Sequence, residues 1–198
     1  MALREAEGTS GAIEFWTDVS SKFGDNDHVF YELYNEPHMQ NTTADLEVYL
    51  NGNDTYVGMH EMVEAVRKNS QDSVLVIAGS QNFAYDADSL IALDALLDAD
   101  EKVIYNFHAY QGPVQAKKAY KNAEGFEKMV KAITEATTKP VILTEFGQFC
   151  CDTDGECYNY PGEWNGVKMG YAEAIIRIAD TYGASWLPWS WRPAATDY

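Results

Sequence analysis

Hydrophobic and polar positions along the chain form two kinds of segment that alternate. Five short runs are rich in Val, Ile, Leu and aromatic residues, which is typical of strands buried on both faces. They cover residues 28–34, 74–79, 103–109, 140–146 and 184–190. Before and between these runs, apolar residues recur at every third or fourth position, which predicts amphipathic helices. The predicted helices cover residues 11–22, 56–69, 89–98, 123–136 and 166–182.

The alternation of strands and helices predicts an α/β fold, in which right-handed crossovers join parallel strands. The 198 residues are enough for one compact domain with a sizeable core. No internal repeat or linker divides the sequence, so we expect a single domain over residues 1–198. Five parallel strands with covering helices fit either a complete open sheet or the later part of an eight-stranded barrel.

The charge of the chain limits the partners it can bind. Lys and Arg number 14 against 31 Asp and Glu, which gives a formal charge of −17. Nucleic acids and anionic membranes would therefore be repelled over most of the surface, and we expect a neutral ligand. No apolar run approaches the roughly 20 residues of a membrane span, and the first ten residues have no signal-peptide core. We expect a soluble chain.

The three cysteines lie together in one Gly/Asp-rich stretch, at Cys150, Cys151 and Cys157. No histidine accompanies them at the spacing of a zinc site. This pattern favours a loop disulfide with one thiol left over, and it leaves the pairing open. We expect no metal and no cofactor.

Side chains with chemical functions come where the predicted strands end. They are Asn35 and Glu36, then His108 and Tyr110, then Glu145, then Trp189 and Trp191. Parallel strands bring these ends to one face, where α/β folds build their active sites. We therefore expect Glu36 and Glu145 to meet there. Pro37 has no amide hydrogen to donate, so it ends the first strand and leaves Glu36 at the carboxyl end of that strand.

Two facing carboxyl groups can hydrolyse a glycosidic bond, one as proton donor and the other as nucleophile or stabilising charge. Four motifs, YELYNEP, NFHAY, ILTEFG and WLPWSW, resemble those of glycoside hydrolase family 5. This is a family of cellulases and mannanases built on (β/α)8 barrels that hydrolyse with retention. The motifs stand in the family's order, and they correspond to its fourth, sixth, seventh and eighth strands. The resemblance implies a partial TIM barrel of about five parallel strands with covering helices.

The resemblance also implies a role for each carboxyl group. Glu36 in YELYNEP would be the acid/base, and Glu145 in ILTEFG would be the nucleophile. Asn35 would bind the 2-hydroxyl group of the reacting sugar. His108 would lie near the acid/base, and the Tyr110 hydroxyl group would point toward the nucleophile.

An aromatic floor under the reacting sugar is the remaining feature that the resemblance implies. Trp189 matches that tryptophan best, with Trp191 as the other choice. Phe83, Trp164 and Trp186 are further candidates for sugar contacts, since aromatic rings suit the apolar face of a sugar. Trp186 is expected to be core or wall, because strand alternation puts it on the side opposite to Trp189.

The function implied is a retaining endo-β-1,4-glucanase acting on a β-1,4-linked polysaccharide or oligosaccharide. A β-mannanase of the same family is the alternative within this chemistry, and a non-catalytic β-glucan-binding or scaffold fragment is the alternative outside it. The polymer substrate implies a secreted, extracellular location. Nothing before Gly11 supplies the family's first three strands, which would leave two sheet edges unpaired. We therefore expect two copies to close on each other, either as a homodimer of partial barrels or by exchanging elements.

Overall fold

The computed structural model describes residues 2–4, 11–24, 26–39, 42–80, 83–97, 100–110, 123–147 and 162–189. Six helices lie in these segments, α1 (Ala12–Phe23), α2 (Thr43–Asn51), α3 (Met59–Arg67), α4 (Asp88–Asp94), α5 (Ala123–Ala136) and α6 (Tyr171–Thr181). Seven strands accompany them, β1 (Phe30–Glu32), β2 (Val74–Ala78), β3 (Val103–Tyr110), β4 (Val141–Gly147), β5 (Gly162–Trp164), β6 (Val167–Met169) and β7 (Ser185–Trp186).

Five of the strands form one sheet in the order β1-β2-β3-β4-β7. Each neighbouring pair is parallel. All the carboxyl ends therefore lie along one edge of the sheet. The predicted α/β fold with five parallel strands and covering helices is confirmed.

The hydrophobic core lies between the sheet and its helices. Alternate strand residues face the helices and are almost completely buried, namely Tyr31, Leu75, Ile77, Tyr105, Phe107 and Leu143. The helices cover them with the apolar stripes that the sequence predicted, for example Phe126, Val130 and Ile133 on α5 and Ile175 and Ile178 on α6. Each such side chain contributes about 1.5–3 kcal/mol on burial, so this layer holds the strands in register.

Two elements differ in kind from the prediction. The hydrophobic pattern did not predict α2, because Tyr49 is the one residue of that helix that is buried. The start of α2 is marked by Thr42, whose side chain accepts a hydrogen bond from the Asp45 amide. Residues 166–182 were predicted as one helix, but β5 and β6 form an antiparallel hairpin before α6 begins. Asn165 and Gly166 both have positive φ, 51° and 74°, which suits a tight hairpin turn.

The two outer strands are shorter than predicted. The run 28–34 forms a strand only from Phe30 to Glu32, although the Leu33 amide still donates to Val76 O. The run 184–190 forms only Ser185–Trp186. Both lie at sheet edges, where a partner strand is present on one side only within the described residues. A strand with a single neighbour forms fewer backbone hydrogen bonds, so a shorter part of the chain adopts strand geometry.

The face of the sheet opposite the helices is called the inner face here. Register and alternation place Phe30, Glu32, Ile104, Asn106 and Ile142 on it. Phe30 is 59% exposed at the β1 edge. Among the helices of the described segments, none is both long and apolar enough to cross a membrane.

Candidate active site

Glu36 lies four residues beyond the end of β1, in the segment 33–37. This segment runs toward the carboxyl edge of β2, since the Leu33 amide bonds to Val76 O and the Met39 amide bonds to Ser80 O. Pro37 is buried. The glutamate is therefore presented by an extended segment after the strand, rather than by the strand end that the sequence predicted.

Strand β3 points a row of polar side chains to the inner face. Asn106, His108 and Tyr110 are spaced by two residues, so they share that face. Asn106 and His108 are almost completely buried. The backbone amide of His108 bonds to Ala84 O, which lies in a turn where Phe83 and Ala84 both have positive φ, 63° and 58°.

Strand β4 carries an extra residue at the same level. Phe107 pairs with Leu143, but His108 pairs with Glu145, so Thr144 is a β-bulge. Strict alternation from Leu143 would have turned Glu145 toward the helices. Because of the bulge, both Thr144 and Glu145 reach His108: Thr144 Oγ1 lies 3.0 Å from its Nε2, and Glu145 Oε2 lies 3.7 Å from its Nδ1.

His108 stands between the two predicted catalytic carboxyl groups. Its Nδ1 lies 2.8 Å from Glu36 Oε1. The Tyr110 hydroxyl group donates a hydrogen bond of 2.8 Å to Glu145 Oε2. One potential metal-ligand atom from each of Glu36, His108 and Glu145 lies within 4.8 Å of the other two. The structure thus brings together Glu36, His108, Tyr110 and Glu145, which come from three separate parts of the sequence.

A second layer of polar groups, which the sequence pattern did not predict, lies beneath this pair. Asn106 Nδ2 donates to Glu32 Oε1 at 3.0 Å, and Asn106 Oδ1 accepts from the Thr144 amide and hydroxyl groups at 3.0 Å and 2.8 Å. Glu32 and Asn106 interrupt otherwise apolar strands, and a polar residue inside a buried run is the signal that could have found them.

The pKa of Glu32 is raised above its ordinary value. Partial burial of the carboxyl group is the main cause, and the charge of Glu145 acts in the same direction, while His108 and the Asn106 hydrogen bond oppose the shift. Glu32 as a residue remains exposed because β1 is an edge strand. Its carboxyl end nevertheless lies against buried Asn106, so the shift belongs to that end of the side chain.

The aromatic candidates occupy different places. Trp189 is 59% exposed, and its backbone amide donates to Phe146 O at the end of β4. Trp186 packs edge-on against Phe146, its indole N–H donating to Asp180 Oδ1 on α6. Trp186 therefore lies on the helix side, away from Glu145.

The remaining candidates are divided between the site and other regions. Phe83 stacks on His38, two residues beyond Glu36, with ring centres 4.2 Å apart. Trp164 donates to Glu127 on α5 and thus lies on the helix layer. Asn35 is exposed beside Glu36. Trp191 and the three cysteines, Cys150, Cys151 and Cys157, lie outside the described residues.

This arrangement can move protons and attack an electrophilic carbon. Two carboxyl groups close together, one bonded by an imidazole and the other by a phenol, can act as an acid/base and as a nucleophile. The same three donor groups have a spacing that a divalent cation could also bridge.

Comparison with known proteins agrees with the fold and the motifs. The family model "Cellulase (glycosyl hydrolase family 5)" matches residues 4–195. Endoglucanase A of Butyrivibrio fibrisolvens is 30% identical over 184 residues, which are 93% of this chain and 35% of that protein.

Two solved structures share the fold. β-Glucanase SdGluc5_26A from Saccharophagus degradans, in complex with cellotetraose, matches with a TM-score of 0.59 at 23% identity, over 93% of this chain and 52% of that one. Thermotoga maritima Cel5A, in complex with mannotriose, matches with a TM-score of 0.62 at 15% identity, over 91% of this chain and 58% of that one.

The chain thus spans between 35% and 58% of the length of these three relatives. Its five-stranded parallel sheet is consistent with part of a TIM barrel. The match of the family model covers almost every residue. The chain belongs to the cellulase family of glycosyl hydrolases, family 5.

Proposed function

We propose that this chain is a retaining endo-β-1,4-glucanase, with Glu36 as acid/base and Glu145 as nucleophile. The observation that carries the proposal is the spacing of the two carboxyl groups, since one oxygen of Glu36 lies within 4.8 Å of one oxygen of Glu145, with His108 between them. Retaining glycosidases hold their carboxyl groups about 5–5.5 Å apart, whereas inverting enzymes need about 6.5–9.5 Å to admit a water molecule. The spacing supports double displacement.

In the first step, a carboxylate oxygen of Glu145 attacks the anomeric carbon and forms a glycosyl ester. The bond between that carbon and the glycosidic oxygen breaks, and Glu36 gives its proton to the departing oxygen. The Tyr110 hydroxyl group bonds to Glu145 Oε2. It therefore orients the carboxylate and stabilises its charge before the attack.

In the second step, Glu36 takes a proton from water as the water oxygen attacks the anomeric carbon. The ester bond breaks, Glu145 leaves as a carboxylate, and Glu36 is again protonated. Asn35, next to Glu36, would bind the 2-hydroxyl group of the sugar. Exposed Trp189 would lie under the sugar ring, with Trp191 as the other candidate for that contact.

The substrate class follows from the relatives. The B. fibrisolvens protein is named an endoglucanase, and the structure of the S. degradans enzyme contains cellotetraose. We therefore assign β-1,4-glucan to this chain ahead of mannan, and an extracellular location that suits a polymer. Initial rates on carboxymethylcellulose, glucomannan and mannan, measured side by side, test this choice; faster hydrolysis of mannan would replace glucan with mannan.

The proposal also includes a homodimer of the 198-residue chain. Its support is the pair of edge strands β1 and β7, with Phe30 and Leu187 more than half exposed near them. Within the described residues each of these strands has a neighbour on one side only, and such edges with apolar side chains favour association with a second copy.

The decisive experiment traps the glycosyl ester. A 2-deoxy-2-fluoro β-cellobioside with a good leaving group should label Glu145, and peptide mass spectrometry locates the label. Glu145→Gln should lower kcat by roughly 1,000-fold or more, because the nucleophile is lost. Glu135→Gln is the matched control, since Glu135 pairs with Lys131 on an exposed part of α5.

Three outcomes would contradict the mechanism. They are a label on another residue, full activity of Glu145→Gln, and products with inverted anomeric configuration by proton NMR. Binding of cellotetraose without hydrolysis by the unmodified chain would favour the binding-fragment alternative. Activity in excess EDTA should equal activity without it, because neither step uses a metal ion.

A further inference from the structure

The polar layer beneath the two carboxyl groups has no role in the mechanism described so far. It consists of Glu32 on β1, Asn106 on β3 and Thr144 on β4, and its hydrogen bonds reach the site through His108. Asn106 is completely buried. Burying a side-chain amide group is costly even when all of its hydrogen bonds are made, so the presence of Asn106 in the core indicates a specific role.

The orientation of the Asn106 amide follows from one backbone contact. The Thr144 amide group can only donate, and it lies 3.0 Å from Asn106 Oδ1. That atom is therefore the acceptor. The other end, Nδ2, lies 3.0 Å from Glu32 Oε1 and 3.3 Å from His108 Nε2. Its two hydrogens thus meet two acceptors, a carboxyl oxygen and a ring nitrogen.

The same contacts determine which nitrogen of His108 carries the proton. Nδ1 faces carboxyl oxygens, at 2.8 Å from Glu36 and 3.7 Å from Glu145. Nε2 faces the Asn106 Nδ2 group at 3.3 Å and the Thr144 hydroxyl group at 3.0 Å. The Thr144 hydroxyl group gives its hydrogen to Asn106 Oδ1, so the donor that faces Nε2 is the Asn106 Nδ2–H. That contact favours Nε2 as the acceptor, with the hydrogen on Nδ1.

We propose that Glu32 and Asn106 are positioning residues, which hold His108 as the Nδ1–H tautomer with that hydrogen directed at Glu36. Glu32 fixes the Asn106 amide, Asn106 fixes the ring of His108, and His108 donates to Glu36 Oε1. The second oxygen of Glu36 then carries the proton that the glycosidic oxygen receives. This inference rests on the proposed function and names residues that support its acid/base.

Glu32 suits this task in either protonation state. A carboxylate and a neutral carboxyl group both offer an oxygen that accepts the Asn106 N–H. Burial raises the pKa of Glu32, and loss of its charge reduces repulsion with Glu145 without breaking the hydrogen bond to Asn106. Glutamine keeps the accepting oxygen, whereas leucine removes it, so these two substitutions separate the hydrogen bond from the charge.

The experiment compares Glu32→Gln with Glu32→Leu. Glu32→Leu should lower kcat about 10- to 100-fold with a KM within about threefold of the unmodified value, as for groups that act by orienting another residue. It should also shift the limb of the pH–rate profile that reports the acid/base. Glu32→Gln should retain kcat within about threefold and an unchanged profile. Equal effects of Gln and Leu, or a loss confined to KM, would overturn the proposal.

A second measurement does not depend on activity. Long-range ¹H–¹⁵N correlation spectra distinguish the two imidazole tautomers, and the signal of His108 among the four histidines is assigned from its absence in His108→Asn. The unmodified chain should show Nδ1–H, and Asn106→Leu should show a mixture of tautomers. A His108 with Nε2–H in the unmodified chain would overturn the proposal even if Asn106→Leu fails to fold.

The two proposals can fail separately. If Glu145→Gln remains active, the proposed hydrolytic mechanism fails, while the spectra still report the tautomer. If Glu145→Gln is inactive but Glu32→Leu keeps the normal kcat and pH profile, only the positioning role is wrong.

Discussion

His108 joins three separate parts of the chain through its two ring nitrogens. On one side it meets Glu36 and Glu145, and on the other it meets Asn106 and Thr144. A ring with partners on both sides cannot rotate without losing several hydrogen bonds, so the carboxyl groups are held before substrate arrives. Such preorganisation is what proton transfer and nucleophilic attack need.

The ion pair between Arg4 and Glu61 makes the stability of the fold depend on pH. The Arg4 guanidinium group bonds to both carboxylate oxygens of Glu61, and Glu61 also accepts from the Gly58 amide at the start of α3. The hydrogen bond from Arg4 is the main reason that the pKa of Glu61 is lowered, against the effect of its burial. The contact therefore stabilises the fold fully above the unfolded value of 4.5, and its contribution is lost as the pH falls through the lowered folded value.

Glu61→Gln should accordingly reduce the free energy of unfolding by about 1 kcal/mol at pH 7. The difference from the unmodified chain should shrink as the pH falls below 4.5 and through the lowered folded value, because Glu61 then becomes neutral as well. Thermal denaturation followed by circular dichroism at pH 7, 5 and 3.5 measures this. Glu135→Gln, which alters only an exposed pair on α5, should change the Tm little at any pH. A constant difference across the pH range would contradict the lowered pKa.

At the residue scale, the sequence predicted the groups at strand ends but not those inside the strands. Glu36, His108, Tyr110 and Glu145 follow or end apolar runs, and parallel strands must bring such positions to one edge. Glu32 lies within its run, and the runs were interpreted as wholly buried strands. The roles of the seven predicted site residues remain predictions, including those of Asn35, Trp189 and Trp191.

At the scale of the elements, local turn chemistry explains most of the differences. Asn165-Gly166, between Trp164 and Val167, is a strong hairpin signal that the apolar spacing of residues 166–182 concealed. The bulge at Thr144 had no such signal, because it arises from the pairing of β4 with β3. Alternation within β4 alone would place Glu145 on the helix face, so its place in the site was predicted by its position at a strand end and by the motif, not by alternation.

The end of β4 is tightly packed against the site. A Cβ atom at Gly147 would lie 3.2 Å from Trp189 O and 3.3 Å from the Tyr110 ring. A side chain there must displace one of them. Tyr110 is the partner that donates to Glu145, so the size of the side chain at this position should affect the nucleophile.

Gly147→Val should lower kcat about tenfold or more, and Gly147→Ala should lower it less, because misplacement by about 1 Å is costly in a preorganised site. Kinetics on a soluble cello-oligosaccharide measure the effect, and circular dichroism confirms that both variants fold. Normal kcat in a folded Gly147→Val variant would show that Tyr110 and Trp189 move aside without consequence.

At the scale of the whole molecule, the predicted homodimer can be tested directly. The exposed edges and Phe30 favour association, whereas the charge of −17 on each copy opposes it. Size-exclusion chromatography with light scattering should give twice the 22.2 kDa mass of the chain at micromolar concentration. Phe30→Glu should shift this equilibrium toward monomer, and added salt should shift it toward dimer, since salt screens the repulsion. A monomer under all these conditions would contradict the dimer.

The left-handed turn at Phe83 and Ala84 affects how this molecule can be made more resistant to heat. Non-glycine residues in that conformation cost about 1–2 kcal/mol each, and the hydrogen bond from His108 to Ala84 uses a carbonyl oxygen that any residue would supply. Glycine at this position would relieve part of that cost, less the entropy it adds to the unfolded chain. Thermal tolerance can thus be engineered from a buried turn whose side chain takes no part in the chemistry.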